Sequence, residues 1–182
     1  MIYPIVAYGD PVLKKRAVDF EKGTDLKQLV ADMFETMYNA NGVGLAGPQI
    51  GLNQRIFVAD GSPMEEGLDD FKKAFINPEI IEESGEDWPY DEGCLSIPGV
   101  RSEVFRPYQL TIRYFDENWV EREETYEGIR ARIIQHEYDH IEGVLFVDHL
   151  SSIKKRLMKN KLTNISKGIV DVSYKMKFPV KK

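Results

Sequence analysis

Residues 135–146 read QHEYDHIEGVLF, and the histidines in this stretch are the first residues whose type and spacing could do chemistry. His136 and His140 stand four positions apart. On a helix they lie one turn apart on one face, about 5–6 Å between Cβ atoms. Two imidazoles so placed can grip one metal ion, with Glu137 beside them as a general base. Two ligands are too few for a catalytic centre, which usually takes three from the protein and leaves the fourth position to water. The extended form of the motif needs a glycine and a further histidine. Gly143 is present, but Phe146 stands where the histidine belongs, and His149 comes three residues later. His149 is read as a side chain outside the site, with no matching partner. A ligating glutamate from a downstream helix is excluded, because beyond Glu142 the only carboxylates are Asp148 and Asp171. Cys94, in DEGCLSIPG, remains. A lone cysteine is ordinarily a small buried hydrophobe. As the only thiol of a chain whose two-histidine helix lacks a soft partner, it is expected to be the third ligand.

The elements that must position these groups follow from periodicity. Ile129, Ile133, Ile134 and Ile141 form an apolar stripe and predict a central helix from about Gly128 to Glu142 carrying HEYDH. Leu26, Leu29, Val30, Met33, Phe34, Met37 and Tyr38 predict an N-terminal helix over about 25–41, with Thr24 as N-cap and Asn41-Gly42 as its stop. GVGLAGPQIG, too rich in Gly and Pro for helix, is expected to be loop or irregular strand. RIFVAD (55–60) and AFINPEII (74–81) read as short strands, and EDWPYDEGCLSIPGV as a loop. Leu110, Ile112 and Tyr114 alternate with polar residues, turn at Asp116-Glu117-Asn118 and return through WVEREETYE, a hairpin pattern. A last helix is expected from Ser151-Ser152, with Ile153, Leu157, Met158 and Ile165 as core contacts. This order predicts an α+β fold, with antiparallel or mixed sheets packed around a central metal-binding helix, between an N-terminal and a C-terminal helix.

At 182 residues the chain is expected to form a single catalytic domain (1–182) with a basic helix and tail from about 151. Its net charge of −6 is unevenly spread. From Ser151 onward ten Lys or Arg face one Asp, an excess of +9, which leaves −15 on residues 1–150. An acidic body argues against sequence-specific nucleic-acid binding, while the basic segment could touch an anionic surface. Pro4 and Gly9-Asp10-Pro11 break the N-terminal apolar run, so neither a leader nor a membrane span is expected. One cysteine permits no internal disulfide, which agrees with a cytoplasmic location.

GVGLAGPQIG (42–51), EGCLSIPG (92–99) and QHEYDH (135–140), in that order and spacing, resemble the three motifs of peptide deformylases, and the likeness extends over nearly the whole chain. EGCLSIP with a helical C-terminus looks like the class I form. Gly47 is a departure, standing where the family usually has Ala, and is expected at most to loosen the adjoining loop. The resemblance implies Cys94, His136 and His140 around one divalent ion, Fe(II) in the cell, with Zn(II), Ni(II) or Co(II) able to replace it. Glu137 is then the proton carrier, and the Gln49 side-chain amide and the Leu95 backbone N–H are oxyanion donors. Val43 and Gly44 would present backbone to an extended peptide, and Val43 and Ile133 would line an apolar methionine pocket. Arg101 would hold substrate backbone, while a Glu92–Arg106 pair would fix the Cys94 loop. The implied reaction is removal of formyl from nascent N-formylmethionyl polypeptides, with release of formate and with the ribosome as docking partner of the basic helix. Two other readings are a HExxH peptidase cutting internal amides and a non-catalytic module in which the metal only staples the Cys94 loop to the helix. The missing downstream ligand counts against the first, and an otherwise unexplained Glu137 and Gln49 against the second.

Overall fold

The computed structural model describes residues 1–179. In chain order the elements are β1 (Ile5–Val6), α1 (Lys27–Asn39), β2 (Gly44–Ala46), β3 (Ile56–Asp60), β4 (Lys72–Cys94), β5 (Ile97–Phe115), β6 (Glu121–Glu127), α2 (Gly128–Ile141), α3 (Ser152–Ser166) and β7 (Met176–Lys177). Five strands form an antiparallel sheet ordered β2-β3-β4-β5-β6, and β1 pairs with β7 in parallel. The α+β architecture expected from the sequence is present, including the central helix α2.

The largest difference from expectation is at the centre of the chain. Where the sequence suggested a short strand and then a loop, β4 continues for 23 residues through Cys94. Trp88, Pro89, Tyr90 and Asp91 pair with Arg106, Phe105, Val104 and Glu103 of β5. Four register shifts interrupt this pairing, and such irregularities bend and twist a strand. They also break the two-residue alternation by which a strand is recognised, so the Gly- and Pro-containing sequence imitates a loop.

The terminal helices differ in detail. The Thr24 hydroxyl donates to the Glu21 carbonyl at 2.6 Å, so it does not cap α1, which starts at Lys27. α3 starts where expected, with Ser151 as its N-cap accepting from the Lys154 amide. Ile153 and Leu157, however, are 70% and 80% exposed, whereas Leu162 and Ile165 pack inward in one apolar cluster with half-buried Met158, as expected for Met158 and Ile165.

The interior has three apolar groups. Ile133, Ile134 and Ile141 of α2 pack with Phe57, Phe75, Leu110 and Ile112 of the sheet. Met33 and Met37 of α1 pack with Leu45, Ile56 and Val58 on the opposite face of β2 and β3. Leu162 and Ile165 of α3 join Ile97, Val104 and Phe146. Together these contacts clamp α2 between the sheet and the β4–β5 turn, which brings its histidine face to Cys94.

Candidate metal centre and peptide cleft

Cys94 ends β4, and His136 and His140 project from α2. Their ligand atoms lie within 4.8 Å of one another, and Cys94 Sγ is 3.4 Å from His140 Nε2. One sulfur and two nitrogens converging at that distance suit a tetrahedral divalent ion, given metal–ligand bonds of about 2.0–2.3 Å. His136 turns its Nδ1 to the Glu92 carboxylate at 2.8 Å, which leaves Nε2 for the site. Burial and the neighbouring His136 hold the His140 pKa down to about 3, so its ring is the neutral imidazole that ligation needs. For His136 burial acts in the lowering direction, but bonds to Cys94 and Glu92 outweigh it and raise its pKa well above the ordinary value. A proton is thus drawn to a spot where a cation belongs. Phe146, the residue that breaks the extended motif, stacks on His136 with ring centroids 6.1 Å apart.

Around the three ligands runs a buried ionic scaffold. Glu92 is 4% exposed. It accepts from Arg106 at 2.7 and 3.0 Å and from Arg132 at 2.7 Å, besides its bond to His136. Burial alone would raise its pKa, but the bonds to His136 and Arg106 prevail and hold it well below the usual carboxylate range. The expected Glu92–Arg106 pair is therefore present, and Arg132 is a third member that the sequence reading missed. A signal was available, since Arg132 lies one turn before His136 on the same face. Arg132 also donates to the Val104 and Trp88 carbonyls, so it is not a partner for Glu137. Arg106 reaches Asp139 at 2.8 Å, and Asp139 in turn bonds His149 at 2.8 Å. His149 thus has a partner, contrary to expectation, because the short helical turn at 146–149 carries it back alongside α2.

Glu137 is 3% exposed, and its Oε2 has no hydrogen-bond partner. Burial pushes its pKa up to about 7. Gly44 is what makes room for it, because a Cβ at that position would lie 2.7 Å from the Glu137 carboxyl carbon. Gln49 is likewise buried. Its Oε1 accepts from the Ala46 amide at 3.0 Å, which aims its Nε2 at Cys94 Sγ (3.4 Å) and Ser96 Oγ (3.2 Å). Ser96, fully buried, is a second member missed in the sequence. Gly47, just before Gln49, does not loosen its turn. A Cβ there would come within 2.7 Å of the Gln54 carbonyl oxygen, so the backbone at 52–54 packs directly against it.

A cleft of about 640 Å³ opens over these groups. Val43, Gly44, Gln49, Cys94, Leu95, Arg101, Ile133, His136 and Glu137 all line it, as does Glu92, whereas the sequence-derived candidates His140 and Arg106 are buried and are not part of its lining. Arg101 stands at the mouth with its guanidinium on the Asp91 side chain and carbonyl, both at 2.8 Å. Asp171 to Tyr174, from the C-terminal segment, also line the cleft. Nothing in the sequence pattern placed them there, because the link is a long-range return of the chain.

The sequence model of the polypeptide deformylase family matches residues 2–156. The chain belongs to the peptide deformylase family. It is 67% identical to a peptide deformylase of Cytophaga hutchinsonii over 184 residues, covering all of both chains. A peptide deformylase of Christiangramia forsetii is 59% identical over 190 residues, covering 98% of this chain and 97% of that one. Among solved structures, the peptide deformylase of Thermus thermophilus superposes with a TM-score of 0.83 at 40% identity, covering 93% of this chain and all of that one. The deformylase family is one of metal-dependent hydrolases, and Cys94, His136 and His140 are a group of this member that could hold a metal ion.

Proposed function

We propose that the whole chain acts as one catalytic domain that hydrolyses the formamide of nascent N-formylmethionyl polypeptides, releasing formate, with catalysis carried by Glu137 beside the Cys94–His136–His140 group. The observation that carries this reading is the unpartnered Glu137 oxygen, buried in the cleft next to three converging ligands. A structural metal site closes with four ligands and needs no base, so a free buried carboxylate in the same cavity favours an enzyme. When bound, a divalent ion supplies Lewis acidity toward water and the formyl oxygen. Fe(II) is the ion we assign in the cell, with Zn(II), Ni(II) or Co(II) as substitutes that the same sulfur and nitrogen donors accept.

The chain's own residues then have distinct tasks. Glu137 takes a proton from water and passes it to the departing amine nitrogen. A carboxyl group poised near neutrality suits both halves of that transfer. The Gln49 side-chain amide and the Leu95 backbone N–H donate to the oxyanion that develops on the formyl oxygen, where one donor is typically worth about 3 kcal/mol. Gln49 is aimed at the ligands by its bond to Ala46, and it donates to the oxyanion by exchanging one of its bonds to Cys94 Sγ or Ser96 Oγ. Val43 and Gly44, at the start of edge strand β2, offer backbone to an extended peptide. Val43 and Ile133 line the methionine pocket, and Arg101 steadies the peptide at the mouth. Glu92 and Arg106 hold His136 in the orientation that leaves Nε2 free for the metal.

No helix among the described residues is long and apolar enough to cross a membrane. We place the enzyme in the cytoplasm, where formylated chains emerge. Exposed Lys154, Lys155, Arg156 and Lys159 on α3 supply a cationic face for docking to the ribosome. The test of the reaction is formate release from a short N-formylmethionyl peptide by protein purified without oxygen. Formate from that peptide, and none of the corresponding acid from an N-acetyl control, is the expected result. Cleavage of internal bonds in an unformylated peptide would instead identify a peptidase.

A further inference from the structure

Beyond α3 the chain, described up to residue 179, turns back along the cleft. β7 fixes it there, with Met176 opposite Ile5 and Lys177 opposite Val6 of β1. Just before this pairing, Asp171, Val172, Ser173 and Tyr174 line the same cleft as the buried, unpartnered Glu137 oxygen. Tyr174 is the anchor, its hydroxyl donating to the Leu95 carbonyl at 2.7 Å. The segment is therefore tied at one point to the turn that carries Cys94 and at another to the N-terminal strand.

The charges of the cleft are unequal. Asp91, Glu92, Glu137 and Asp171 line it, against Arg101 and Arg132. Glu92 is taken up by Arg106 and Arg132, and Asp91 by Arg101. Asp171, exposed at the rim, makes no ion pair among the described residues. An N-formylated peptide has no charged α-amino group, so the first charges it presents are side chains downstream of the methionine. We propose that residues 171–174 form one wall of the peptide-binding cleft and that Asp171 selects nascent chains with a lysine or arginine shortly after the formylmethionine. This rests on the deformylase reading and adds a substrate preference to it.

The test compares kcat/KM for N-formylmethionyl peptides that carry Lys, Ala or Glu at the second, third or fourth residue. Wild type, Asp171→Asn and Asp171→Lys are each measured after metal loading, at low and high salt. Wild type is expected to favour Lys over Glu by about three- to tenfold at one of these positions, the size set by a single exposed charge pair. Salt should shrink that ratio, Asp171→Asn should bring it near one, and Asp171→Lys should invert it. Equal efficiencies in wild type, or a Lys preference that survives Asp171→Lys, would overturn the proposal while leaving the deformylase intact. No formate from any peptide would bring down the deformylase reading itself, and this preference with it.

Discussion

Glu137 and Gly44 form a pair in which each explains the other. A carboxylate with an unpartnered buried oxygen is costly, and it persists here because the missing Cβ of Gly44 leaves it a place beside the ligands. Gly44→Ala should therefore push the carboxyl group aside rather than unfold the chain, since the Cβ meets the movable end of a side chain. The expected result is a fall in kcat of tenfold or more, with the urea midpoint nearly unchanged, because small misplacements of reacting groups cost rates of that order. The same burial sets a pH dependence. Burial raises Glu137 to about 7 even with His136 acting in the lowering direction, and a divalent ion, when bound, attracts the charged form and draws the value down. Activity needs the deprotonated carboxylate to receive a proton, so kcat/KM should fall as pH falls, along an acid limb centred below 7. A limb centred above 7, or activity rising toward acid, would assign the group a different role.

At the scale of elements, the β4–β5 hairpin and α2 are joined by Glu92, and that joint was partly legible in the sequence. The histidine spacing placed the ligands on one helix face, and elimination of other donors pointed to Cys94. The Glu92–Arg106 pair followed only from the family resemblance. Arg132 and Ser96 were not read, because their roles arise from long-range contacts between elements. The length of β4 was also missed, since its register shifts erase the alternation that marks a strand. Glu92→Gln should test the joint. It keeps the shape but removes the charge that holds two buried guanidinium groups and His136. Metal affinity, measured by chelator competition, should fall by about 10- to 100-fold, and thermal stability should fall with it. Gly47→Ala addresses the opposite end of the scale, packing without chemistry. Its Cβ would press on the Gln54 carbonyl, and a loss of about 1–3 kcal/mol in a urea titration is expected.

Across the whole molecule, an acidic body carries the cleft and a basic α3 carries the cationic face, with the C-terminal segment returning between them. Composition made the charge division legible. It did not foretell that Ile153 and Leu157 would stand in solvent, because an exposed and a buried apolar residue on a helix differ only in what lies opposite. The central claim is that the ion and the base are separate parts of one site. The measurement that tests it most directly is bound metal and formate release determined together on Glu137→Ala. The account predicts about one ion per chain, as for the wild type, and almost no formate. Undiminished turnover would remove Glu137 from the reaction, and loss of the ion would make it a ligand instead of a base.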